Sequence, residues 1–117
     1  MPGKYQIEFI DGVAFKRFLK KFDEKHQRLI VEAIQIELAD VVPALQNQQN
    51  IRPLGKGLYE LKIKSAGELL VRVFFAFAPN RQIWVVHFYD KKSNDSVRFQ
   101  NKQIQLALAK IKNNSII

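Results

Sequence analysis

The sequence from residue 58 to residue 92 constrains the fold most, because it predicts three consecutive strands joined by two tight turns. The first strand, LYELKIK, alternates apolar and polar residues, which is the pattern of a strand with one buried face. The next two, LLVRVFFAF and QIWVVHF, are almost entirely apolar. The intervening sequences SAGE (65–68) and APNR (78–81) contain the residue types that tight turns favour. The stretch therefore predicts three antiparallel strands in one sheet.

Arg72 lies inside the second of these strands. An unpaired buried charge is costly, so Arg72 must meet an anion, a carboxylate or solvent in a cleft. If the first turn centres on position 66, Glu60 lies opposite Arg72. If the second turn centres between positions 79 and 80, His87 also lies opposite Arg72. Opposed side chains share a face, which predicts one polar patch of Glu60, Lys62, Arg72 and His87. We expect phosphate and solvent, not a buried acid, to be the partners of Arg72.

The length of 117 residues suits one domain, which we take to span residues 1–117. The chain has no cysteine, and its N-terminal sequence lacks the apolar core of a signal peptide. The longest apolar run, near residues 69–78, is interrupted by Arg72 and is too short to span a membrane. These features predict a cytoplasmic protein that does not enter a membrane.

The positive charge is concentrated in one half of the sequence. Residues 51–117 contain twelve basic and four acidic side chains, so the entire formal net charge of +8 falls there. The basic and acidic residues of positions 1–50 cancel. An asymmetry of this kind favours a polyanion or an acidic protein as the partner of the strand-rich half, although a solvated basic surface gives the same pattern.

The remaining elements are predicted from periodicity and capping. Residues 5–10 alternate as a short strand, and Asp11 is a candidate N-cap for a helix with an apolar stripe at Phe15, Phe18, Leu19 and Phe22. A second helix is expected from about residue 24 to residue 41, and residues 51–57 as a shaped loop. Ser96 or Asp95 is expected to cap a final helix. The order predicts an α+β domain, with an N-terminal strand and helical hairpin packed on a small, mainly antiparallel sheet and a C-terminal helix.

Several familiar chemistries lack their motifs. No glycine-rich phosphate loop is present, two isolated histidines without cysteines argue against a zinc site, and the serines show no triad pattern. We therefore expect no metal and no cofactor. What remains is a basic constellation, whose candidate catalytic residues are Lys62, Arg72, His87, Lys91 and Lys92. Candidate RNA-binding residues are Arg52, Lys56 and Lys64.

This constellation has the residue types that metal-independent RNA cleavage needs. Attack by the RNA 2′-hydroxyl requires a base, positive charge on the pentavalent phosphate, and an acid for the leaving 5′ oxygen. Crowded Lys and Arg side chains supply charge, and a lysine of lowered pKa also transfers protons. His87 is the conventional acid or base, because the ordinary pKa of histidine lies nearest neutrality.

Three stretches resemble a known family. The runs GLYELK (57–62), LVRVFFA (70–76) and FYDKK (88–92) resemble the RelE/HigB/ParE superfamily of bacterial toxins, with the closest likeness to its phage-derived HigB-like branch. The resemblance implies a microbial RNase-like fold and a toxin that cuts mRNA on the translating ribosome. It also implies neutralisation by a cognate antitoxin. By position, Lys62, Arg72, Lys91 and Lys92 match the family's basic active-site positions, with Lys62 replacing the arginine usual in the branch.

Two other functions remain open on the sequence alone. A ParE-like toxin with the same fold would bind gyrase and cleave no RNA. A non-toxic nucleic-acid-binding module would use its lysines and arginines only to hold phosphates, and its affinity would fall steeply with salt. For the mRNA-cleaving toxin, the expected partners are an antitoxin, mRNA and the ribosome. No membrane and no small-molecule cofactor are expected.

Overall fold

A computed structural model describes residues 5–39, 50–90 and 96–114 of the protein, and it confirms the α+β class. The elements are β1 (Gln6–Phe9), α1 (Gly12–Leu19), α2 (Glu24–Ala39), β2 (Ile51–Gly55), β3 (Leu58–Ser65), β4 (Glu68–Ala78), β5 (Gln82–Asp90) and α3 (Val97–Asn114). The five strands form one sheet in the order β1-β5-β4-β3-β2, with β1 parallel to β5 and all other neighbours antiparallel.

Both predicted helix caps whose residues are described are confirmed. The Asp11 carboxylate accepts a hydrogen bond from the Ala14 backbone N–H at 2.9 Å, and the Ser96 hydroxyl accepts one from the Phe99 N–H at 3.2 Å. Each satisfies an N–H that has no partner within its own helix. The alternative cap Asp95, and the expected continuation of the second helix to residue 41, lie outside the described residues.

The sheet separates two apolar cores. On one face, α1 and α2 bury Phe15, Phe18, Ile30, Ile34 and Leu38 against β3, β4 and β5. The Phe88 ring closes this core at the end of β5, with centroids 5.2 Å from Phe15 and 5.0 Å from Phe18. On the other face, α3 packs Ala107 and Ile111 against a smaller group that consists of Leu58, Phe74, Ala76, Val86 and Tyr89. A sheet covered on both faces explains why β4 and β5 have almost entirely apolar sequences.

Residues 51–57 are not the loop that the sequence predicted. Positions 51–55 form β2, an edge strand paired antiparallel with β3. Proline lacks an N–H and is tolerated at a sheet edge, and Pro53 lies in this strand beside a register shift between Pro53 and Gly55. Pro53 and Gly55, which indicated a loop, therefore belong to an irregular edge strand, and Gly57 belongs to the turn that follows it.

The predicted strand register is wrong, but the predicted face is right. Glu60 lies opposite Phe74, not Arg72, and His87 also lies opposite Phe74. The Cα partners of Arg72 are Lys62 and Tyr89. In each hairpin the turn and one β-bulge each displace the pairing by one residue. Beyond the bulge the shift is therefore two, so Glu60, Lys62, Arg72 and His87 stay on one face.

The β3–β4 turn contains backbone strain that a substitution can relieve. Ala66 and Gly67 have φ of +53° and +81°, the geometry of a type I′ turn that favours Asn-Gly. Ala66→Asn should therefore raise the free energy of unfolding by about 0.5–1 kcal/mol, and Gly67→Ala should lower it by about 1–2 kcal/mol. Urea denaturation of the purified variants measures both changes.

Gly12→Ala is the matched control for this prediction. A Cβ at Gly12 or at Gly67 would meet no atom within 4 Å, so steric clash is absent at both positions. Gly12 begins a helix, and alanine there should be neutral or stabilising. Equal effects of Gly12→Ala and Gly67→Ala would contradict the assignment of the strain to the turn.

Candidate functional site

The polar residues of the sheet form two rows on the face that α3 packs against. The first row crosses the sheet through Arg52, Glu60, Phe74 and His87, and the second through Lys62, Arg72 and Tyr89. Helix α3 contacts the β5 end of both rows, where the Phe99 ring lies 5.6 Å from Tyr89 and Gln103 touches His87. The charged side chains occupy the β2, β3 and β4 end.

Glu60 lies at the centre of this charged end and is 1% exposed. Its two carboxylate oxygens accept hydrogen bonds from two different arginines: Oε1 from Arg52 Nε at 2.8 Å and Oε2 from Arg72 Nη1 at 3.0 Å. A buried carboxylate is tolerated when it is paired and hydrogen-bonded in this way. The arrangement links strands β2, β3 and β4 through one side chain.

The expected environment of Arg72 is therefore wrong. Arg72 is 8% exposed and pairs with a buried acid, whereas the sequence predicted phosphate and solvent as its partners. Although Glu60 is not directly opposite Arg72 in the register, the arginine side chain is long enough to reach it along the diagonal. The Glu60–Arg72 pair is consequently a structural feature of the sheet as well as part of the basic cluster.

The other basic candidates differ in exposure. Arg52 keeps 51% of its side chain exposed although its Nε contacts Glu60. Lys62, which is opposite Arg72, is partly exposed. Lys56 is exposed in the β2–β3 turn, and Lys64 is exposed at the opposite end of β3 beside a bulge. The structure thus brings Arg52 and Lys62 to the two sides of the Glu60–Arg72 pair and leaves Lys56 and Lys64 near the ends of β3.

Lys91 and Lys92 lie outside the described residues. They follow Asp90, the last residue of β5, and Tyr89 next to it is the cross-strand neighbour of Arg72.

His87 is joined to α3 through both ring nitrogens. Its Nε2 is hydrogen-bonded to Gln103 Oε1, and Lys110 Nζ lies 2.9 Å from its Nδ1. An amide oxygen only accepts and an ammonium only donates, so the contacts define a neutral imidazole with its proton on Nε2. The ring also lies 6.0 Å from Phe74 and 6.1 Å from Tyr89 between centroids. His87 is therefore held between the sheet and the helix.

This environment disfavours the charged form of His87. Burial lowers the pKa of His87 below 6.5 and the Lys110 ammonium adds to this, while the hydrogen bond to Gln103 opposes it. Burial also lowers the pKa of Lys110 below 10.5, and the Asp11 carboxylate acts in the opposite direction. In both cases the loss of hydration on burial is the largest cause of the lowered pKa.

The sequence interpretation missed Gln103 and Lys110 as partners of His87. Gln103 is 9% exposed and lies in the apolar stripe of α3, four residues after Phe99 and four before Ala107. A polar residue inside an apolar stripe is a signal that a buried hydrogen bond is required. Lys110 gives no such signal, because lysine at a helix surface is ordinary.

Within the described ranges, no helix is both long and apolar enough to cross a membrane. In the same part of the chain, no three His, Asp or Glu side chains cluster in a way that could hold a metal ion.

The fold and the two polar rows define a small α+β protein with a basic cluster on one sheet face. A family model described as phage-derived protein Gp49-like (DUF891) matches residues 17–112. The match spans most of the chain, and the chain therefore belongs to this family, which is a RelE/HigB-type toxin family. A comparison with curated proteins gives no match. A toxin family of this type implies an antitoxin as the partner.

Removing one member of the Glu60–Arg72 pair should destabilise the fold strongly. Arg72→Ala or Glu60→Ala leaves a buried opposite charge that has lost a partner, which costs about 3–5 kcal/mol of unfolding free energy. The double variant Glu60→Leu/Arg72→Met should recover most of that loss, because apolar side chains of similar size replace both charges. Urea denaturation at neutral pH measures the three variants.

Lys62→Ala is the control, since Lys62 is partly exposed and removal of its charge leaves no buried charge behind. It should change the unfolding free energy by less than about 1 kcal/mol. Arg72→Ala with wild-type stability would contradict the buried pair.

The His87 contacts predict a loss of stability in mild acid. A histidine whose folded pKa lies below its unfolded value of 6.5 resists protonation only in the folded state. Its contribution is therefore complete above pH 6.5 and is lost as the pH falls below it, by at most about 1.4 kcal/mol per pH unit. His87→Gln should make the decline in unfolding free energy between pH 6.5 and about pH 5 shallower by up to this slope.

Lys110→Met tests the cause of the shift, because it removes the charge that faces Nδ1 while His87 remains. Its pH profile should lie between those of the wild type and His87→Gln. Identical pH profiles for wild type and His87→Gln would refute the lowered pKa.

Proposed function

We propose that this protein is the toxin of a type II toxin–antitoxin system and cleaves mRNA on the ribosome by metal-independent attack of the RNA 2′-hydroxyl. Membership of a RelE/HigB-type toxin family supports the first part. The observation that carries the second is the cluster in which the half-exposed Arg52 and the partly exposed Lys62 flank the buried Glu60–Arg72 pair. We also place the chain in the phage-derived HigB-like branch on its sequence motifs.

The cluster suits a reaction that develops negative charge on phosphate. The group contains three cations and one carboxylate, so it retains positive charge after Arg52 and Arg72 pair with Glu60; Lys62 lies opposite Arg72. Charges fixed in position before the reaction stabilise a pentavalent phosphate without reorganisation. In this proposal Arg52 and Lys62 contact the RNA, and Arg72 adds its charge from beneath. We also assign Lys91 and Lys92, which directly follow β5 in the sequence, to the reaction.

We propose that His87 holds α3 in position on the sheet. It takes part in proton transfer only when RNA displaces the partner of one of its ring nitrogens. In the structure Gln103 occupies Nε2 and Lys110 occupies Nδ1, so neither nitrogen is open to a 2′-hydroxyl. A general base must lie within hydrogen-bonding reach of the proton that it takes. If RNA displaced Lys110, the neutral imidazole would have Nδ1 ready to accept a proton.

An antitoxin that neutralises this activity has two routes. It can place acidic side chains against the basic half of the chain, where the whole net charge of +8 lies, or it can block entry to the ribosome by its bulk. We propose that the antitoxin is encoded beside this gene. Copurification of the neighbouring gene product and rescue of growth on coexpression would support this assignment, and failure of both would remove it.

Lys62→Ala should reduce cleavage of mRNA on purified ribosomes by about a hundredfold, because it removes a positioned charge from the transition state. Arg52→Ala should have a similar effect. Lys62→Ala should retain a melting temperature close to the wild type, since Lys62 is partly exposed. Arg52→Ala removes one partner of the buried Glu60 carboxylate and should lower the melting temperature, so its cleavage rate is compared per folded molecule. Single-turnover cleavage with saturating toxin and mapping of the 3′ ends measure the effect, and 2′,3′-cyclic phosphate ends are expected.

Arg28→Ala is the matched control, because Arg28 is exposed on α2 and α2 covers the other face of the sheet. It removes the same charge and should leave cleavage unchanged.

Intact mRNA after a growth arrest by the wild-type protein would contradict nuclease action. Gyrase–DNA complexes in those cells would then indicate a gyrase target, and harmless overexpression would indicate a binding module.

A further inference from the structure

Glu60 is an unexpected residue in a site for a polyanion. Its carboxylate lowers the positive potential that Arg52, Lys62 and Arg72 create, and a phosphate placed near them is repelled by it. Nevertheless Glu60 is almost completely buried, and both of its oxygens are engaged by cluster residues. A residue that only weakens the field of the site requires another explanation for its place there.

The contacts of Arg52 suggest that explanation. Glu60 Oε1 holds Arg52 by Nε, the nitrogen nearest the aliphatic stem, while about half of the side chain stays exposed. A guanidinium group is planar, so a hydrogen bond at Nε fixes the plane and the direction of its two terminal nitrogens. An exposed arginine without such an anchor samples many rotamers, and ordering it on binding costs conformational entropy.

Arg72 is held by the same carboxylate from the other side. Its Nη1 contacts Glu60 Oε2, and the Arg72 side chain is only 10% exposed. The two arginines come from the edge strand β2 and the inner strand β4, and no direct backbone pairing joins these strands. Glu60, on β3 between them, therefore sets the position of one guanidinium relative to the other.

We propose that Glu60 is a positioning residue of the RNA-cleavage site, whose carboxylate fixes Arg52 and Arg72 so that the terminal nitrogens of Arg52 face the scissile phosphate. The proposal rests on the function proposed above. It assigns no proton transfer to Glu60 and no direct contact with RNA. The benefit of the carboxylate is a preorganised pair of cations, which outweighs its repulsion of phosphate.

Glu60→Gln separates positioning from simple electrostatics. Glutamine has nearly the same shape but no charge, so the cluster becomes more positive and its affinity for a single-stranded RNA oligonucleotide should be equal or higher. Cleavage at saturating toxin should nevertheless fall by about thirtyfold or more, because the arginines lose their anchor. A purely structural role would lower the melting temperature and leave the rate per folded molecule unchanged.

Glu32→Gln is the charge-matched control, since Glu32 is exposed on α2, which covers the opposite face. It should leave both RNA affinity and cleavage at wild-type values.

Because Glu60→Gln also removes a buried charge and can reduce folding, Arg52→Lys serves as the second variant. Lysine keeps the charge at a half-exposed position but cannot present two nitrogens in a fixed plane, so RNA affinity should change by no more than about threefold while cleavage falls about thirtyfold.

A spectroscopic measurement tests the anchor without cleavage. In ¹H–¹⁵N spectra of the wild type, the Nε–H of Arg52 should give a sharp signal that exchanges slowly with water. Arg52→Lys identifies the signal by its loss. In Glu60→Gln the signal should broaden or exchange at least about tenfold faster, as the charge-assisted hydrogen bond is lost.

The outcomes distinguish this proposal from the proposed function. Absence of ribosome-dependent cleavage by the wild type overturns the nuclease function, and the positioning role falls with it. If the wild type cleaves, wild-type rates in Arg52→Lys overturn the positioning role alone, as do wild-type rates in folded Glu60→Gln. Reduced cleavage with retained affinity in Arg52→Lys, together with the altered Arg52 signal in Glu60→Gln, supports it.

Discussion

The buried carboxylate of Glu60 is the interaction on which the charged face of the sheet depends. Taking an ionised group out of water is costly, and only the two guanidinium groups of Arg52 and Arg72 make its position tolerable. The same contacts tie the edge strand β2 to the centre of the sheet, since among the described strands β2 pairs through its backbone with β3 alone. One side chain thus joins an irregular edge, an inner strand and the basic cluster into a single unit.

Local signals in the sequence were sufficient for most of the fold. The apolar stripes and the caps at Asp11 and Ser96 predicted helices that are present, and alternation with turn residues predicted β3, β4 and β5. Strand β2 was missed because Pro53 and its neighbouring glycines are breakers in most contexts, and only pairing with β3 makes this segment a strand. The exact register was also out of reach, because a β-bulge depends on packing and has no local signature.

The candidate site was predicted in part for the same reason. Strand periodicity determines the face on which a side chain lies, and it correctly placed Glu60, Lys62, Arg72 and His87 on the same face. Periodicity does not reveal what covers that face. The burial of the Glu60–Arg72 pair depends on tertiary packing. The hydrogen-bonding partners of His87, Gln103 and Lys110, come from α3, which follows β5 in the sequence. Long-range contacts of this kind leave little trace in a single sequence.

The parallel pairing of β1 with β5 has a consequence for the time at which the protein becomes complete during synthesis. Residues 6–9 of β1 pair with residues 82–85 of β5. Although β1 is synthesised before the other four strands, it joins the sheet only after β5 has been synthesised. Closing so long a loop is slow compared with forming the helices and hairpins that lie between. In this order of synthesis β2, β3 and β4 are made before β5 is available to β1, and α3 is made after β5. This order leaves an interval in which a partner already present in the cell can bind the unfinished protein before its fold is closed.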